Sequence, residues 1–412
     1  MSSVKSQKLS TLDHIFSILS DKKTLLDFAF VLHFPGSPNI NALEAGAQSA
    51  TSKFPISNSF LYRQRWEHIH TYNNQLDVTS EDLALERFMN TPFGLRVEAP
   101  FRQLILLKPD AHVLVTRFHH AAADGLSAAM WLSHQIQVAR GETQPVKTPG
   151  RSNVPILKVM SPSVWRSKFS YSAPSSPLRT CTNTGSNRRN WQSIIFEATG
   201  LKEHCRKAGG FSYNDLLAVC ALQVLIAWNE LHKDSSHVGL WVPINIRQRS
   251  NVGFGNGTSR IRIYPRYERQ SSFVEKAREI RRQVRWCTAN GEWVVPNLSS
   301  LQKIPTWLSA PLINTYLASR YVDMGTAVFS HADSLAGGVG EGLQIADRIE
   351  CIGLLQKRQR LAINGTTHHG QTCLTFTYDS GMFCADAIKQ LCELFQRQIE
   401  SARRELSDAW SL

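Results

Sequence analysis

Seven consecutive residues, His119-His120-Ala121-Ala122-Ala123-Asp124-Gly125, fall between a β-forming apolar run and a helical pattern. The chain must therefore build a strand, a tight loop and a helix in that order, with two imidazoles and a carboxylate gathered at the junction. Phe101 to Lys108 and Ala111 to Phe118 are apolar runs parted by the turn-prone Pro109-Asp110, which predicts a hairpin that delivers the histidines at a strand end. Gly125 to Arg140 predicts a helix: Leu126, Met130, Leu132 and Ile136 recur at roughly helical spacing and leave Ser133, His134, Gln137 and Arg140 to a wetter side. An imidazole titrates near working pH and can take a proton from an attacking hydroxyl, amine or thiol, so His120 is the candidate general base. His119 is expected to serve the fold more than the chemistry. Asp124, near the positive end of the following helix, suits a structural anchor that pairs with a distant cation, and Gly125 would permit the tight backbone.

At 412 residues the chain exceeds a comfortable single core, and two lobes are expected. The seam is placed by composition. Gly141 to Asn190 carries Pro145, Pro149, Pro155, Pro162, Pro174 and Pro177 among many Ser, Thr and basic residues. The expected division is a first lobe over 1–150, a crossover linker over 151–190 and a second lobe over 191–412. In the second part, Ser212 with Asp215 imitates a capping box before the apolar segment Leu216 to Leu231, too short and interrupted to span a membrane. Trp191 to Phe196, Gly257 to Ile263 and Cys373 to Tyr378 predict strands; Phe273 to Trp286 and Ala385 to Arg403 predict helices. Helices and strands alternate without a βαβ rhythm, so the class is α/β with mixed sheets of the α+β kind, and no internal repeat shows in the sequence.

A formal charge of +13, from 46 basic and 33 acidic side chains, favours an anionic partner. Arg278, Arg281, Arg282 and Arg285 recur at helical spacing and offer one docking patch, although such a run is more often a solvated face. Nucleic acid is the least expected partner, since the basic residues are dispersed and no aromatic-interleaved module accompanies them. Eight cysteines show no CxxC pair or finger spacing, and no metal site is expected. His368-His369 before Gly370 reads as a hairpin turn, and Gly337 to Gly342, with no Lys-Ser/Thr after it, as a flexible loop. Met1 to Lys8 is polar and unlike a signal peptide, so a cytoplasmic protein with no transmembrane segment is expected.

The HHxxxDG string resembles that of the CoA-dependent acyltransferase superfamily, which includes the condensation domains of nonribosomal peptide synthesis and free-standing acyltransferases. Further segments resemble the same family in the same order: Leu9-Ser10-Thr11-Leu12-Asp13 with Ile15-Phe16, Phe211 to Leu217, Val242 to Arg247, and Gly253-Phe254-Gly255-Asn256-Gly257. The resemblance implies two chloramphenicol-acetyltransferase-like lobes with an active-site tunnel between them. It makes Asp124 the partner of an arginine from the second half, Arg247 first, with Arg260 and Arg262 as alternatives, and it puts Asn256 and Ser330 at the substrate tunnel. The implied function is transfer of an acyl group from acyl-CoA or an acidic acyl carrier protein to a hydroxyl or amine of a small-molecule acceptor, within secondary metabolism and with no tightly bound cofactor. Two alternatives stand beside it: an amide-forming condensation enzyme acting between carrier proteins, and a catalytically silent docking module. The DFGWG segment of plant acyltransferases of the BAHD type is missing, which disfavours that branch.

Overall fold

Two mixed sheets, each built around an antiparallel hairpin, organise the computed structural model. It describes residues 6–20, 25–69, 76–142, 188–232, 237–245, 247, 253–290, 325–333, 340–355 and 361–408, with positions 175, 178, 308, 310, 311 and 315 between them. Among the described residues the first part of the chain supplies β1 (Gln7–Lys8), α1 (Thr11–Leu19), β2 (Asp27–Pro35), α2 (Ile40–Lys53), β3 (Ser59–Tyr62), β4 (Arg65–His68), β5 (Leu76–Thr79), α3 (Ala84–Asn90), β6 (Phe101–Leu107), β7 (Ala111–His119) and α4 (Gly125–Ala139). The second part supplies β8 (Arg189–Glu197), α5 (Thr199–Ala208), α6 (Tyr213–Leu231), β9 (Leu240–Asn245), β10 (Thr258–Ile263), α7 (Phe273–Ala289), β11 (Ala327–Ala332), β12 (Arg348–Ile352), β13 (Leu361–His368), β14 (Gln371–Asp379) and α8 (Ala385–Asp408).

The first large sheet runs β12-β2-β7-β6-β5 and the second β10-β9-β11-β13-β14-β8. β7 lies inside its sheet and is covered on both faces, which is why its sequence reads as an almost unbroken apolar run rather than an alternation. Leu114 and Phe118 face the core under α2 and α4, while Val113 and Val115 face a smaller cluster that Trp191 of the second sheet also touches. The outer edge of β2 is covered by β12, a strand from the last quarter of the chain, paired from Arg348 opposite His33 to Ile352 opposite Ala29. An exposed edge strand invites pairing with other chains, and this crossing closes it. The stretch expected to be a crossover linker lies, apart from 175, 178 and 188–190, outside the described residues.

The capping box at Ser212 and Asp215 starts α6 as expected, and that helix is buried in the second core against α7 and α8. No single helix among the described residues is long and apolar enough to cross a membrane. His368-His369 stands at the β13–β14 turn, where His369 and Gly370 both have positive φ, 47° and 77°, the conformation of a two-residue hairpin loop. The glycine-rich loop is corrected in part: Gly342 belongs to a short 3-10 turn seated on α4, so close that a Cβ would stand 2.3 Å from the Ser133 carbonyl oxygen. Gly337 to Val339 lie outside the described residues.

The halves repeat one device. Hairpin β6–β7 leads through residues 120–124 into α4, and hairpin β13–β14 leads through the equally long 380–384 into α8. Position for position, His120 answers to Ser380 and Asp124 to Cys384, so the imidazole and carboxylate stand at one of the two junctions only.

Candidate active site

The loop after β7 is held from both sides. Asp27 stands opposite His119 in the β2–β7 register, and its buried carboxylate accepts from Arg117 Nε at 2.8 Å and Arg189 Nη2 at 2.8 Å. Because Arg189 opens β8, this triad also ties the second sheet to the first. Burial opposes the charge on Asp27, yet the two guanidiniums hold its pKa below the ordinary carboxylate value.

His119 is 1 % exposed. Its Nδ1 accepts the Ala121 N–H at 3.1 Å, so Nε2 is the protonated nitrogen and donates to Ser20 Oγ at 2.9 Å. Burial pushes its pKa down to about 4, with smaller effects from Asp27, His120 and Arg117. The ring therefore braces the loop as a neutral group. An unfolded imidazole takes up a proton near pH 6.5, whereas the folded one refuses it until about pH 4. The sign follows: the unfolded state binds more protons in that window, and stability falls as pH drops from about 6.5 to 4. The expected loss is about 3 kcal/mol, read as the difference between wild type and His119→Asn in urea melts at pH 7 and pH 4; an equal loss in both proteins would remove His119 from the account.

His120 is only partly buried. Its backbone N–H donates to the Leu26 carbonyl at 2.8 Å, and its ring stacks on Phe16 at 4.1 Å between centroids and meets the Phe28 edge at 5.5 Å. Asn256 decides its tautomer. The Asn256 Nδ2 donates to the His120 carbonyl at 2.8 Å and to Asp13 Oδ1 at 3.0 Å, acceptors both, so Oδ1 is the atom that faces His120 Nδ1 at 3.1 Å. An amide oxygen can only accept; Nδ1 must carry the hydrogen, and Nε2 keeps the lone pair. Burial holds the pKa below the ordinary imidazole value; Asp124 opposes this and Arg260 adds to it. The result is a neutral, oriented imidazole with its basic nitrogen away from Asn256.

Asp124 takes no part in that ring's hydrogen bonding. It caps α4 by accepting from Ser127 N at 3.1 Å. Arg247 donates to it as a fork, Nη1 to Oδ2 at 2.7 Å and Nη2 to Oδ1 at 2.9 Å, and Gly257 N and Thr258 Oγ1 add 2.8 Å and 2.7 Å bonds to Oδ2. Burial would raise its pKa, but the Arg247 charge and these donors hold it low. With every lone pair engaged, this carboxylate is an anchor. Gly257 is required by contact, since a Cβ there would fall 2.4 Å from the Arg247 stem. Phe254, 5 % exposed and stacked on Phe54 at 4.7 Å, plugs the same loop into the first core, a burial worth roughly 1.5–3 kcal/mol.

Of the two alternative arginines, Arg260 lies with its guanidinium on the Trp241 ring, 3.3 Å from its centroid, and Arg262 sits two residues further along the same strand face. Asn256, expected at the tunnel, is 4 % exposed and turned onto His120 and Asp13. Ser330 lies on β11 opposite Asn364, partly exposed. Gly125 needs correction. It is the first residue of α4, is not among the positive-φ glycines, and a Cβ there would meet nothing within 4 Å, so the backbone does not demand glycine. The α7 patch is also smaller than expected: Arg278 donates to the Ala208 and Gly209 carbonyls, Arg281 pairs with Asp215 at 2.9 Å and Arg282 with Glu279 at 2.6 Å. Sequence reasoning missed Phe16 and Asp13 as site residues, although it singled out the segment that carries them. Among the described residues, no three His, Cys, Asp or Glu side chains converge as metal ligands.

No family model matches the sequence, and no curated protein does. Solved structures match over almost its whole length. A nonribosomal peptide synthetase cyclization–docking bidomain from Sorangium cellulosum superposes with TM-score 0.70 at 12% identity, over 97% of this chain and 84% of that one. The condensation domain of the Monacolin K polyketide synthase gives 0.66 at 11%, over 98% and 97%. The X-domain of teicoplanin biosynthesis, in its complex with OxyB, gives 0.62 at 13%, over 99% and 95%. At such identities the likeness is one of fold, and the fold is that of condensation-type domains, with two chloramphenicol-acetyltransferase-like lobes.

Proposed function

We propose that the protein moves an acyl group from a thioester donor, acyl-CoA or an acyl carrier protein, to a hydroxyl or amine of a small-molecule acceptor, with His120 as general base. The observation that carries this reading is the state of the His120 ring: partly exposed, neutral, with Nδ1–H committed to Asn256 and the lone pair on Nε2. As the acceptor oxygen or nitrogen bonds to the thioester carbonyl carbon, Nε2 takes its proton. The tetrahedral oxyanion forms beside the positive end of α4, where a well-placed donor is worth about 2.7–4 kcal/mol. Collapse breaks the C–S bond, and the proton on Nε2 passes to the departing thiolate, which returns the ring to its starting form. Asp124 and Arg247 hold the loop in register throughout.

A second reading, a module that docks another protein, draws support from the X-domain likeness, since that domain is seen in complex with OxyB. One experiment separates the two. Purified protein is incubated with mixed acyl-CoAs, acylated carrier proteins and a panel of alcohols and amines, and products are read by mass spectrometry. Acyl products that vanish in His120→Ala support transfer; carrier binding without product from any donor supports docking.

The donor is read by charge. Arg285 is exposed and has no intrachain ion pair among the described residues, whereas reversal of Arg281 would strip the partner from Asp215 in the α6 capping box. Arg285→Glu is expected to slow transfer from a carrier-borne acyl group by about three- to tenfold at low salt, with little change for the same group on CoA. Equal losses with both donors would dismiss α7 as a docking helix.

A further inference from the structure

Helix α1 lies along the two histidines of the loop and touches them through residues on one side. Asp13, Phe16 and the C-cap Ser20 stand three and four positions apart, the spacing of neighbours on a helix face. Ser20 Oγ takes the His119 Nε2 hydrogen at 2.9 Å, Phe16 stacks on the His120 ring, and Asp13 reaches that ring through Asn256. The last of these contacts bears on the chemistry.

Asp13 is 2 % exposed and its carboxylate serves two elements at once. Oδ2 accepts the Ser10 N–H at 2.9 Å, which closes the capping box that starts α1, and Oδ1 accepts Asn256 Nδ2 at 3.0 Å. An asparagine amide keeps its shape when its oxygen and nitrogen are exchanged, so its hydrogen-bond partners choose between the two orientations. In the observed one, Nδ2 gives its hydrogens to the His120 carbonyl and Asp13, and the amide oxygen takes His120 Nδ1–H. Turned over, the oxygen would face two acceptors and the NH2 would face Nδ1. His120 would then need its lone pair on Nδ1 and carry its hydrogen on Nε2, a tautomer that cannot take a proton there. A carboxylate has no hydrogen to give, so Asp13 admits the first orientation, and its charge makes that bond stronger than the one to the neutral His120 carbonyl.

We propose that Asp13 is a positioning residue for the general base: through the Asn256 amide it fixes the His120 tautomer that leaves Nε2 free. The assignment deepens the acyl-transfer reading and rests on it for the effect on turnover, but the tautomer itself is read by NMR with no substrate present.

Asp13→Asn changes the charge and little of the shape. Its amide has one acceptor oxygen for two N–H groups; with that oxygen on Ser10, its NH2 turns on Asn256 and favours the inverted amide. Protein labelled with 15N-histidine is expected to show a wild-type His120 protonated on Nδ1 and an Asp13→Asn ring protonated mainly on Nε2. In the same variant kcat should fall about tenfold, the weight of one charge-assisted hydrogen bond, with KM near wild type. Ser10→Ala is the control for a merely structural role, since it breaks the same capping box and keeps the carboxylate; it should lower stability while the His120 tautomer stays as in wild type. Should Asp13→Asn not fold, Asp13→Ala leaves the His120 carbonyl to orient the amide and should show a mixture of the two tautomers. A wild-type His120 protonated on Nε2, a wild-type tautomer in both Asp13 variants, or a Ser10→Ala ring shifted as far as that of Asp13→Asn would each overturn the assignment. The expected tautomer shift in a protein that transfers no acyl group from any donor would leave Asp13 in its role and remove the transferase reading.

Discussion

His120→Ala is expected to lower turnover by about two to four orders of magnitude while the protein melts within a few degrees of wild type. The ring is only partly buried, and its stack on Phe16 contributes about 0.5–1.5 kcal/mol, so its loss should be felt in the chemistry before the fold. A pH signature accompanies it. The competent form is neutral imidazole, and burial holds its pKa below the usual 6.5, so kcat/KM should stay on its plateau below pH 6.5 and fall only as pH drops through the depressed value. Asn256→Asp would place a carboxylate against Nδ1 and move that limb upward. A folded His120→Ala protein with near-normal rate would end the general-base assignment.

Asp124→Asn is expected to cost roughly 3–5 kcal/mol, because it strands the Arg247 guanidinium in a site where the side chain is 1 % exposed. The carboxylate accepts five hydrogen bonds, from Ser127, Gly257, Thr258 and twice from Arg247. An amide has one acceptor atom and would turn its NH2 toward a cation. Urea unfolding should show the loss directly, and activity should fall with it because the loop that presents His120 loosens. Arg247→Met should do the same, with the double variant less destabilised than the sum of the two. An inactive Asp124→Asn of full stability would instead make Asp124 a chemical participant.

The features legible in the amino-acid order are local ones. The hairpin over 101–119, helix α4, the capping box at Ser212 and the turn at His369-Gly370 follow from periodicity and from residues whose backbone preferences act within a few positions. Those signals are enough to place His120 and Asp124 at a strand-to-helix junction. Family resemblance put Arg247 first, ahead of Arg260 and Arg262, as the partner of Asp124, and the fold chose Arg247; no local rule reaches across 123 positions. The remaining features arise from packing between distant segments. That Asn256 sets the His120 tautomer, that Phe16 and Asp13 join the site, that β12 closes the edge of β2, and that Arg278, Arg281 and Arg282 serve their own chain all depend on which elements meet in space. An apolar stripe tells a helix or strand which face to bury but not against what; a polar side chain such as Asn256 takes its role only from the donors and acceptors that packing brings within about 3 Å.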